Sequence, residues 1–247
     1  MEAHVKSLAF HAKRYERLLE AVSDIVKELG AGASGKPRIL DVGPWWQTAL
    51  FRRYLDVHVN TLGLLETPPP IDLPRDGERY WRQDLASYDA YRDDVPEHDL
   101  VIMAEVIEHL PMAPTLVLKR LRRYIKDEGY LLLTTPNAVD IKKRMKMLFG
   151  RNPFNLISED PDFPSHFREY TVEELVSFAR ATGYRVCRTH VTNDWYWRYN
   201  PAVRGHGRLS SVKNDLLAAI RERGLPRSWR QSIMMLLQKS GEVQQAS

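Results

Sequence analysis

The sequence predicts an α/β fold in which a mostly parallel sheet carries helices on both faces. Of its 247 residues, 43% are hydrophobic, which is enough for a full core. Five or six short apolar segments alternate with segments of helical periodicity, an order typical of parallel sheets. Ligands of such sheets bind at the carboxyl ends of the strands, so the turns after the first, second, fourth and fifth strands are the places to look for a site.

The first third of the chain predicts two helices and three strands. Apolar residues recur at helical spacing up to Gly30, namely Leu18, Val22, Ile25, Val26 and Leu29. The segment RILDV predicts the first strand, residues 49–55 a helix, and residues 57–65 the second strand. A proline-rich loop precedes RYWRQDL, which predicts a short third strand.

The middle of the chain predicts two more strands with a helix between them. Residues 98–111, HDLVIMAEVIEHLP, contain a fourth strand from Leu100 to Ala104 that opens into a turn or helix. APTLVLKRLRRYIKDEG predicts an amphipathic helix that Gly129 stops, and YLLLTTPN predicts a fifth strand that ends at Pro136.

The last third predicts a capped helix, a sixth strand and a less regular tail. YTVEELVSFARATGY is a helix with a capping box of Thr171 and Glu174 and a terminator at Gly183. RVCRTHV predicts a strand, and SSVKNDLLAAIRERG a helix. SIMMLLQK (232–239) fits a basic membrane-surface helix or a buried strand, and the strand is favoured because the apolar block is short and follows a proline turn.

Composition narrows the classes of function. The 36 Lys and Arg against 32 Asp and Glu give a net charge of +4, too weakly basic for a typical nucleic-acid footprint. Cys187 is the only cysteine, so no disulfide forms within the chain, which fits a reducing compartment. We find neither a signal-peptide core in MEAHVKSLAF nor an apolar run near the roughly 20 residues that span a bilayer, and we expect a soluble, cytoplasmic protein.

Three chemistry-bearing residues follow the predicted fourth strand. Glu105, Glu108 and His109 stand at i, i+3 and i+4, a spacing that shares one face of a helical turn. Two carboxylates and an imidazole are ligands for a hard or borderline divalent ion. His166, in SHFREYT, follows the neighbouring fifth strand and suggests a fourth ligand. Two alternatives stay open: Glu108 and His109 cap the helix, or His109 or His166 acts as a metal-free general base.

Several blocks in order resemble one known family. LDVG, QDL (83–85), DLVIMAEVIEHL, GYLLLTTPN and HFREYTVEELVSFARATGYRV resemble the class I S-adenosylmethionine (SAM) dependent methyltransferases. The branch they resemble most comprises the ubiquinone-biosynthesis O-methyltransferases and related enzymes of sugar and lipopolysaccharide pathways. The resemblance covers about Lys36 to Lys239 and implies a Rossmann-like seven-stranded sheet with an antiparallel last strand. It also implies SAM as the cofactor.

The resemblance assigns cofactor contacts to the turn after the first strand. The family pattern there is Asp-x-Gly-x-Gly-x-Gly, and Asp41 and Gly43 match its start. Pro44 follows as a further candidate contact, whereas Trp45 and Gln47 replace the later glycines. Glycine suits such a turn because backbone must approach the ligand closely. SAM has no pyrophosphate to cradle, so we expect the turn to bind it even with fewer glycines.

Four further cofactor contacts follow from the same resemblance. Glu66 lies one residue beyond the family's usual position for the acid that accepts two hydrogen bonds from the ribose hydroxyls, and its alternative is an exposed loop acid. Asp84 and Leu85 match the block that contacts adenine, although Asp84 equally suits a helix N-cap. Glu105, after the fourth strand, is the fourth candidate.

A second resemblance concerns the metal. The small-RNA 2′-O-methyltransferases of this superfamily carry a similar E-x-x-E-H block and a later histidine, and Glu105, Glu108, His109 and His166 fall on those four positions. There the four residues bind a divalent ion, so Mg²⁺ or Mn²⁺ is the candidate here. Glu108, His109 and His166 are accordingly the candidate catalytic residues, which align an acceptor hydroxyl with the sulfonium methyl and help to remove its proton.

The sequence predicts one domain, residues 1–247, with an N-terminal helix within 1–35 and substrate-side insertions at 138–168 and 193–225. The first insertion is basic and apolar, so it predicts either an amphipathic cover helix or a lid for an anionic or lipid-linked acceptor. Its GRNPF stretch is similar to a lid in relatives of polysaccharide assembly, and NDWYWRYNP (193–201) adds aromatic residues for stacking or packing.

We therefore expect a SAM-dependent O-methyltransferase, metal-assisted, acting on a saccharide or related small-molecule hydroxyl. The alternatives are an RNA ribose 2′-O-methyltransferase and a non-catalytic scaffold.

Overall fold

A computed structural model of the chain describes residues 2–30, 35–69, 73–87, 92–159, 165–193, 224 and 226–241, with side chains from residue 11 onward. The strands are β1 (Arg38–Val42), β2 (His58–Gly63), β3 (Tyr80–Arg82), β4 (His98–Ala104), β5 (Ile125–Pro136), β6 (Tyr184–Thr192) and β7 (Ser232–Lys239). The helices are α1 (Glu2–Gly30), α2 (Trp46–Tyr54), α3 (Pro114–Leu121), α4 (Ile141–Leu148) and α5 (Val172–Ala181). Short 3₁₀ turns cover Ile107–His109, Arg122–Tyr124 and Arg227–Trp229. No described helix has the length and apolar character needed to cross a membrane.

The seven strands of the described residues form one sheet in the order β3-β2-β1-β4-β5-β7-β6. The pairs from β3 to β5 are parallel, while β7 runs antiparallel to both β5 and β6. This confirms the predicted sheet, including the antiparallel last strand formed by SIMMLLQK. Because β1, β2, β4 and β5 run in the same direction, their carboxyl ends lie along one edge, where the sequence places its candidate site residues.

The sheet separates two hydrophobic cores, and strand side chains alternate between them. In β4, Leu100 and Ile102 belong to the core that α1 and α2 cover, whereas Val101 and Met103 belong to the core under α3 and α5. The same alternation occurs in β1 and β5. Both faces of the central strands are therefore buried, which explains why their sequences are continuous apolar runs.

The predicted helix that Gly129 would stop is wrong in its second half. The helix α3 ends at Leu121, and the 3₁₀ turn Arg122–Tyr124 leads directly into β5. Ile125 pairs with His98 at the start of β4 and is fully buried, so pairing and burial override the helical pattern of the sequence. Gly129 lies inside β5, where the pairing with β4 shifts register.

The insertions differ in how much of them the structure describes. In 138–168, α4 is followed by irregular chain to residue 159, and residues 160–164 lie outside the described residues. In 193–225, the structure describes only Asn193 and Gly224, so the predictions for NDWYWRYNP and SSVKNDLLAAIRERG fall almost wholly outside it. The capping box at the start of α5 is confirmed, since Thr171 and Glu174 exchange hydrogen bonds with each other's backbone.

Candidate active site

A cavity of about 560 Å³ lies at the carboxyl edge of β1, β2 and β4. Its walls come from these strand ends, from the turns after them and from α1. They comprise Arg14, Tyr15, Gly43, Pro44, Trp45, Gln47, Gly63, Leu64, Leu65, Pro69, Tyr80, Ala104, Glu105, Val106 and His109. The volume is that of a small-molecule or cofactor site. Three predicted cofactor residues, Gly43, Pro44 and Glu105, lie in this wall.

The turn between β1 and α2 is held by side chains where the family pattern has glycines. The Gln47 Nε2 donates to the Gly43 carbonyl oxygen at 3.0 Å, and the Trp45 backbone N–H donates to Thr48 Oγ1 at 3.2 Å. Gly43 itself has φ +75°, and a Cβ there would lie 2.6 Å from Val106 Cγ2. A glycine is therefore required at position 43 by both conformation and space.

Asp41 lies beneath this turn and has no solvent exposure. Its Oδ2 accepts a hydrogen bond of 2.6 Å from Thr48 Oγ1, which ties the end of β1 to the first turn of α2. Burial raises the pKa of Asp41 to about 7, although hydrogen bonds from Thr48 and Gln47 and the charge of Arg52 act to lower it. Asp41 is not part of the cavity wall. Its contribution is to hold the turn between β1 and α2, which supplies residues to that wall.

The two tryptophans of the turn take different positions. Trp45 lies in the cavity wall, with 38% of its surface exposed. Trp46 is half-buried outside that wall as the first residue of α2. The cavity keeps about 560 Å³ with Trp45 in place. Trp45 therefore bounds the cavity and leaves room for a ligand.

Glu105 has an unusual backbone conformation at the end of β4. Its φ is +56°, a left-handed value that is uncommon for a residue other than glycine. The carboxylate accepts hydrogen bonds from Arg14 Nη1 and from Thr134 Oγ1, each at 3.0 Å. Arg14 belongs to α1, so this ion pair joins the N-terminal helix to the carboxyl edge of the sheet. Strained backbone of this kind is concentrated at functional sites.

Three of the four predicted metal ligands come together just beyond β4. One ligand atom each of Glu108, His109 and His166 lies within 4.8 Å of the others. The two imidazole rings touch edge to face, with 4.7 Å between centroids. The backbone N–H of Phe167 donates to the Glu108 carbonyl oxygen at 2.7 Å and holds the two segments together. Glu105 precedes the 3₁₀ turn, so it does not share a helical face with Glu108 and His109 as the spacing predicted.

Glu108 is fully buried in this group. Its Oε2 accepts a 2.9 Å hydrogen bond from Thr135 Oγ1, whereas its Oε1 has no hydrogen-bond partner among the described residues. Burial raises the pKa of Glu108 well above its usual range, and the nearby Glu105 carboxylate raises it further. The position thus favours either a protonated carboxyl or a cation beside it.

His166 is held by the buried carboxylate of Glu169, which also contacts Lys143. Its Nδ1 lies 3.0 Å from Glu169 Oε1, and Glu169 Oε2 accepts a hydrogen bond from Lys143 of α4. Lys143 also donates to the Asn137 carbonyl oxygen at 2.7 Å. Burial acts to raise the pKa of Glu169, but hydrogen bonds from His166 and Lys143 outweigh it and hold the pKa below its usual value. With Nδ1 directed at Glu169, the other ring nitrogen of His166 is left for the cluster.

A second cavity, of about 500 Å³, has His166 in its wall. Its walls comprise Ala138, Phe154, Asn155, Ile157, His166, Phe167, Arg168, Glu169 and Glu174. His109 lies in the wall of the first cavity and His166 in the wall of the second. The pair of contacting imidazoles therefore separates two cavities of similar size.

The remaining predicted cofactor residues lie outside the wall of the first cavity. The Glu66 side chain is 80% exposed and pairs with Arg82 at 3.1 Å, which matches the exposed loop acid weighed as its alternative. Asp84 Oδ1 accepts from the Ala86 backbone N–H at 2.8 Å and so stabilises a turn. Leu85 is buried in the hydrophobic core.

Sequence reasoning missed several residues that shape this region. Arg14 and Tyr15 enter the cavity from α1, and the only sequence signal was polar residues on the face of a predicted helix. Tyr80 closes the cavity from β3 and donates to the Leu65 carbonyl oxygen at 2.6 Å. Glu169 follows His166 by three residues in SHFREYT, and this spacing is a sequence signal for their contact.

Comparisons with known proteins identify the domain family and support the fold. The family model described as "Methyltransferase domain" matches residues 10–189. No curated protein is significantly similar in sequence. Among solved structures, the [4+2]-cyclase SpnF aligns with a TM-score of 0.55 and 14% identity over 91% of this chain and 81% of its own. A SAM-dependent methyltransferase from Archaeoglobus fulgidus aligns with a TM-score of 0.51 and 15% identity over 90% and 94%. At these identities the structural likeness establishes the fold alone.

Proposed function

The chain belongs to the methyltransferase-domain family, and on that premise we propose that it is a metal-assisted SAM-dependent O-methyltransferase acting on a saccharide or related small-molecule hydroxyl. Family membership implies SAM as the methyl donor. The observation that carries the proposal is the position of the His109–His166 pair between two cavities. One cavity would hold the cofactor and the other the acceptor, so that methyl transfer takes place at their boundary.

The first cavity suits SAM by its position, its size and its glycine. It lies at the carboxyl edge of the parallel strands, and Gly43 and Pro44 form part of its wall. Because Gly43 has no β-carbon, a ligand can approach the backbone closely at that residue. We propose that Gly43, Pro44 and Glu105 contact the cofactor and that Asp41 holds their turn. Glu66, Asp84 and Leu85, predicted as contacts from the resemblance, lie outside the wall, so the proposal does not depend on them.

The cluster of Glu108, His109 and His166 suits a divalent cation. A buried carboxylate with an unpartnered oxygen and a raised pKa is costly to ionise, and a cation would remove that cost. One carboxylate and two imidazoles favour borderline ions such as Mn²⁺ over Mg²⁺, which prefers oxygen ligands. The sequence also proposed Glu105 as a ligand. Its ion pair with Arg14 makes it the weakest of the four candidates.

The proposed chemistry divides between cofactor and protein. When bound, SAM supplies an activated methyl group, and a metal ion lowers the pKa of a hydroxyl that it contacts. With an ion bound, Glu108, His109 and His166 would hold it beside the acceptor hydroxyl, whose lowered pKa would let the proton pass to solvent. Without an ion, His109 or His166 would instead accept that proton as a general base. Arg14 supports Glu105 at the cofactor side through their ion pair.

The acceptor proposal rests on the second cavity. Phe154 and Phe167 offer aromatic faces, on which a sugar ring could stack, and Asn155 offers an amide for hydroxyl groups. Arg168 and Glu174 form an ion pair at 2.6 Å in the same wall. Neutral, hydroxyl-rich rings fit this mixture of aromatic and polar side chains, which supports the saccharide class predicted from the sequence.

Two experiments test the two halves of the proposal separately. Calorimetry with SAM and with its demethylated product reports on the first cavity, and a tritiated-methyl transfer screen across nucleotide sugars, saccharides and RNA reports on the acceptor. We expect heat from both ligands and transfer to a saccharide. Absence of heat with either ligand would favour the scaffold interpretation, whereas transfer to RNA alone would favour the ribose methyltransferase.

The metal is tested by dialysis against a chelator. We expect turnover to be lost and then restored by Mn²⁺ or Mg²⁺, while SAM affinity stays nearly the same. Glu108→Ala should likewise remove turnover and leave SAM affinity nearly intact. Full activity after chelation would reject the metal and leave His109 or His166 as a metal-free general base.

A further inference from the structure

The helix α4 is attached to the rest of the protein in an unusual way. None of its residues is buried, whereas a short helix in a soluble protein is normally stabilised by burying an apolar face. Its attachments are polar. Lys143 contacts Asp140 and Glu169, while Arg144 donates to the Val139 carbonyl oxygen at 2.7 Å and stacks over the Trp229 ring.

The apolar side chains of α4 and of the chain after it point outward instead. Leu148, Phe149, Leu156 and Ile157 are 73%, 70%, 87% and 65% exposed, and Met145, Met147 and Phe154 are more than two-fifths exposed. A surface helix of a globular protein normally directs its apolar stripe inward. Several exposed apolar side chains along one segment indicate an interaction surface.

The same segment is strongly basic. Residues 141–159, which we call the α4 surface, contain Lys142, Lys143, Arg144, Lys146 and Arg151 against Glu159. Five basic residues and one acidic residue give a charge of +4, as large as the formal net charge of the whole chain. Lys143 is turned toward Glu169, but Lys142, Lys146 and Arg151 are exposed beside the apolar side chains. The partner must therefore receive protruding apolar groups and several cations together.

We propose that the α4 surface docks the protein on an anionic lipid bilayer. Protruding Leu, Phe and Ile side chains can enter the boundary between headgroups and acyl chains, while neighbouring Lys and Arg contact lipid phosphates. A bilayer accepts a helix and an irregular loop alike, because it does not require a shaped groove on the partner. This inference stands apart from the proposed methyl transfer, since lipid binding is measured without turnover.

The surface has a consequence for the acceptor that does rest on the proposed function. Phe154 and Ile157 belong both to the α4 surface and to the wall of the second cavity. The acceptor cavity is thus continuous with the side that faces the bilayer. A hydroxyl acceptor carried on a lipid could reach His166 while its anchor stays in the membrane, so lipid-linked saccharides are the first acceptors to screen.

The test is vesicle flotation of the full chain with phosphatidylcholine alone and with phosphatidylcholine mixed with phosphatidylglycerol. We expect binding to the anionic vesicles only, weakened by salt. The charge variant Lys146→Glu/Arg151→Glu should lower partitioning about tenfold or more. The apolar variant Leu148→Ser/Phe149→Ser/Leu156→Ser should lower it about 100-fold.

Controls carry the same two charge reversals, Arg53→Glu/Lys119→Glu, and one substitution of the apolar kind, Leu73→Ser, at exposed positions elsewhere. Both should bind like the unaltered protein. Circular dichroism melts verify that every variant folds. No binding to either vesicle, equal binding to both, or equal losses in the controls would overturn the proposal. The proposal would also be overturned if sedimentation velocity showed a dimer that the apolar substitutions dissociate, with no lipid binding. That result would assign the surface to a second copy of the chain.

Discussion

At the scale of single residues, Glu169 is the side chain whose removal should be most informative. It lies between His166 Nδ1, 3.0 Å away, and Lys143, and it is buried. A carboxylate in this place fixes the ring orientation and tautomer of the histidine, and loss of such a partner typically costs about 10- to 100-fold in activity or metal affinity. We therefore predict that Glu169→Gln lowers kcat by that amount, because the amide cannot balance both His166 and Lys143.

The measurement separates a positioning role from a merely structural one. SAM affinity by calorimetry should stay unchanged, since Glu169 lies in the wall of the second cavity and not of the first. Glu97→Gln, a change of the same kind at an exposed position, is the control. A parallel loss of SAM affinity and melting temperature in Glu169→Gln, with unchanged turnover per folded molecule, would contradict the prediction.

His98 provides a second prediction, on stability. It is fully buried at the start of β4, and Asn60 Nδ2 lies 2.9 Å from its Nε2. Burial, aided by the charge of Arg38, lowers the pKa of His98 from 6.5 to about 4. Below pH 6.5 the unfolded chain protonates His98, whereas the folded protein does so only below about pH 4. The stability that neutral, buried His98 contributes is therefore lost as the pH falls from 6.5 to about 4.

We predict that the stability advantage of the unaltered protein over His98→Gln shrinks by about 3 kcal/mol between pH 7 and pH 4. Urea unfolding of both proteins across this range measures it. The comparison with the variant is needed because Asp41, whose pKa is raised to about 7, acts in the opposite direction. Its contribution cancels in the difference. Parallel stability profiles for the two proteins would contradict the prediction.

At the scale of secondary-structure elements, the turn between β1 and α2 depends on one glycine. An alanine at Gly43 would occupy a left-handed conformation, at a cost of about 1–2 kcal/mol, and its Cβ would meet Val106. We predict that Gly43→Ala destabilises the protein by more than this and weakens SAM binding. Adding Val106→Ala should remove the clash and recover part of the loss, leaving the conformational cost.

A matched control exists in Gly77, whose φ of +81° is similar but whose Cβ would meet only a side-chain carbon at an ordinary 3.6 Å. Gly77→Ala should therefore show the conformational cost alone, and SAM binding should be unaffected. Urea unfolding and calorimetry supply both measurements. If Gly43→Ala were no more destabilising than Gly77→Ala, the contact with Val106 would not be what requires glycine.

The elements also show what the sequence could and could not predict. The sheet, its last strand and the cluster after β4 were predictable because apolar periodicity and short motifs are local signals. The early end of α3 was not, because it follows from the pairing of Ile125 with His98 across the sheet. Nor were Arg14 and Tyr15 as parts of the cavity, since their role depends on where α1 packs. Such contacts appear only when distant segments are brought together.

At the scale of the whole molecule, the N-terminal helix and the cofactor cavity should be coupled. The helix α1 packs on the sheet through Leu18, Val22 and Ile25, and it supplies Arg14 and Tyr15 to the cavity wall. A ligand that binds only when this wall is formed must stabilise the docked helix. At a concentration of about 100 times its Kd, the stabilisation is about 2.7 kcal/mol, so α1 amides that exchange by local undocking should exchange about 100-fold more slowly.

Hydrogen exchange with and without SAM measures this coupling. The substitution Arg14→Gln removes the ion pair with Glu105, which joins α1 to the carboxyl end of β4. We therefore predict that SAM protects the α1 amides less in this variant than in the unaltered protein. Glu16→Gln, on an exposed position of the same helix, should retain the full effect. Protection that spreads evenly over the sheet while α1 exchanges as before would mean that SAM binds without α1. In that case the cavity would be completed by the strand turns alone.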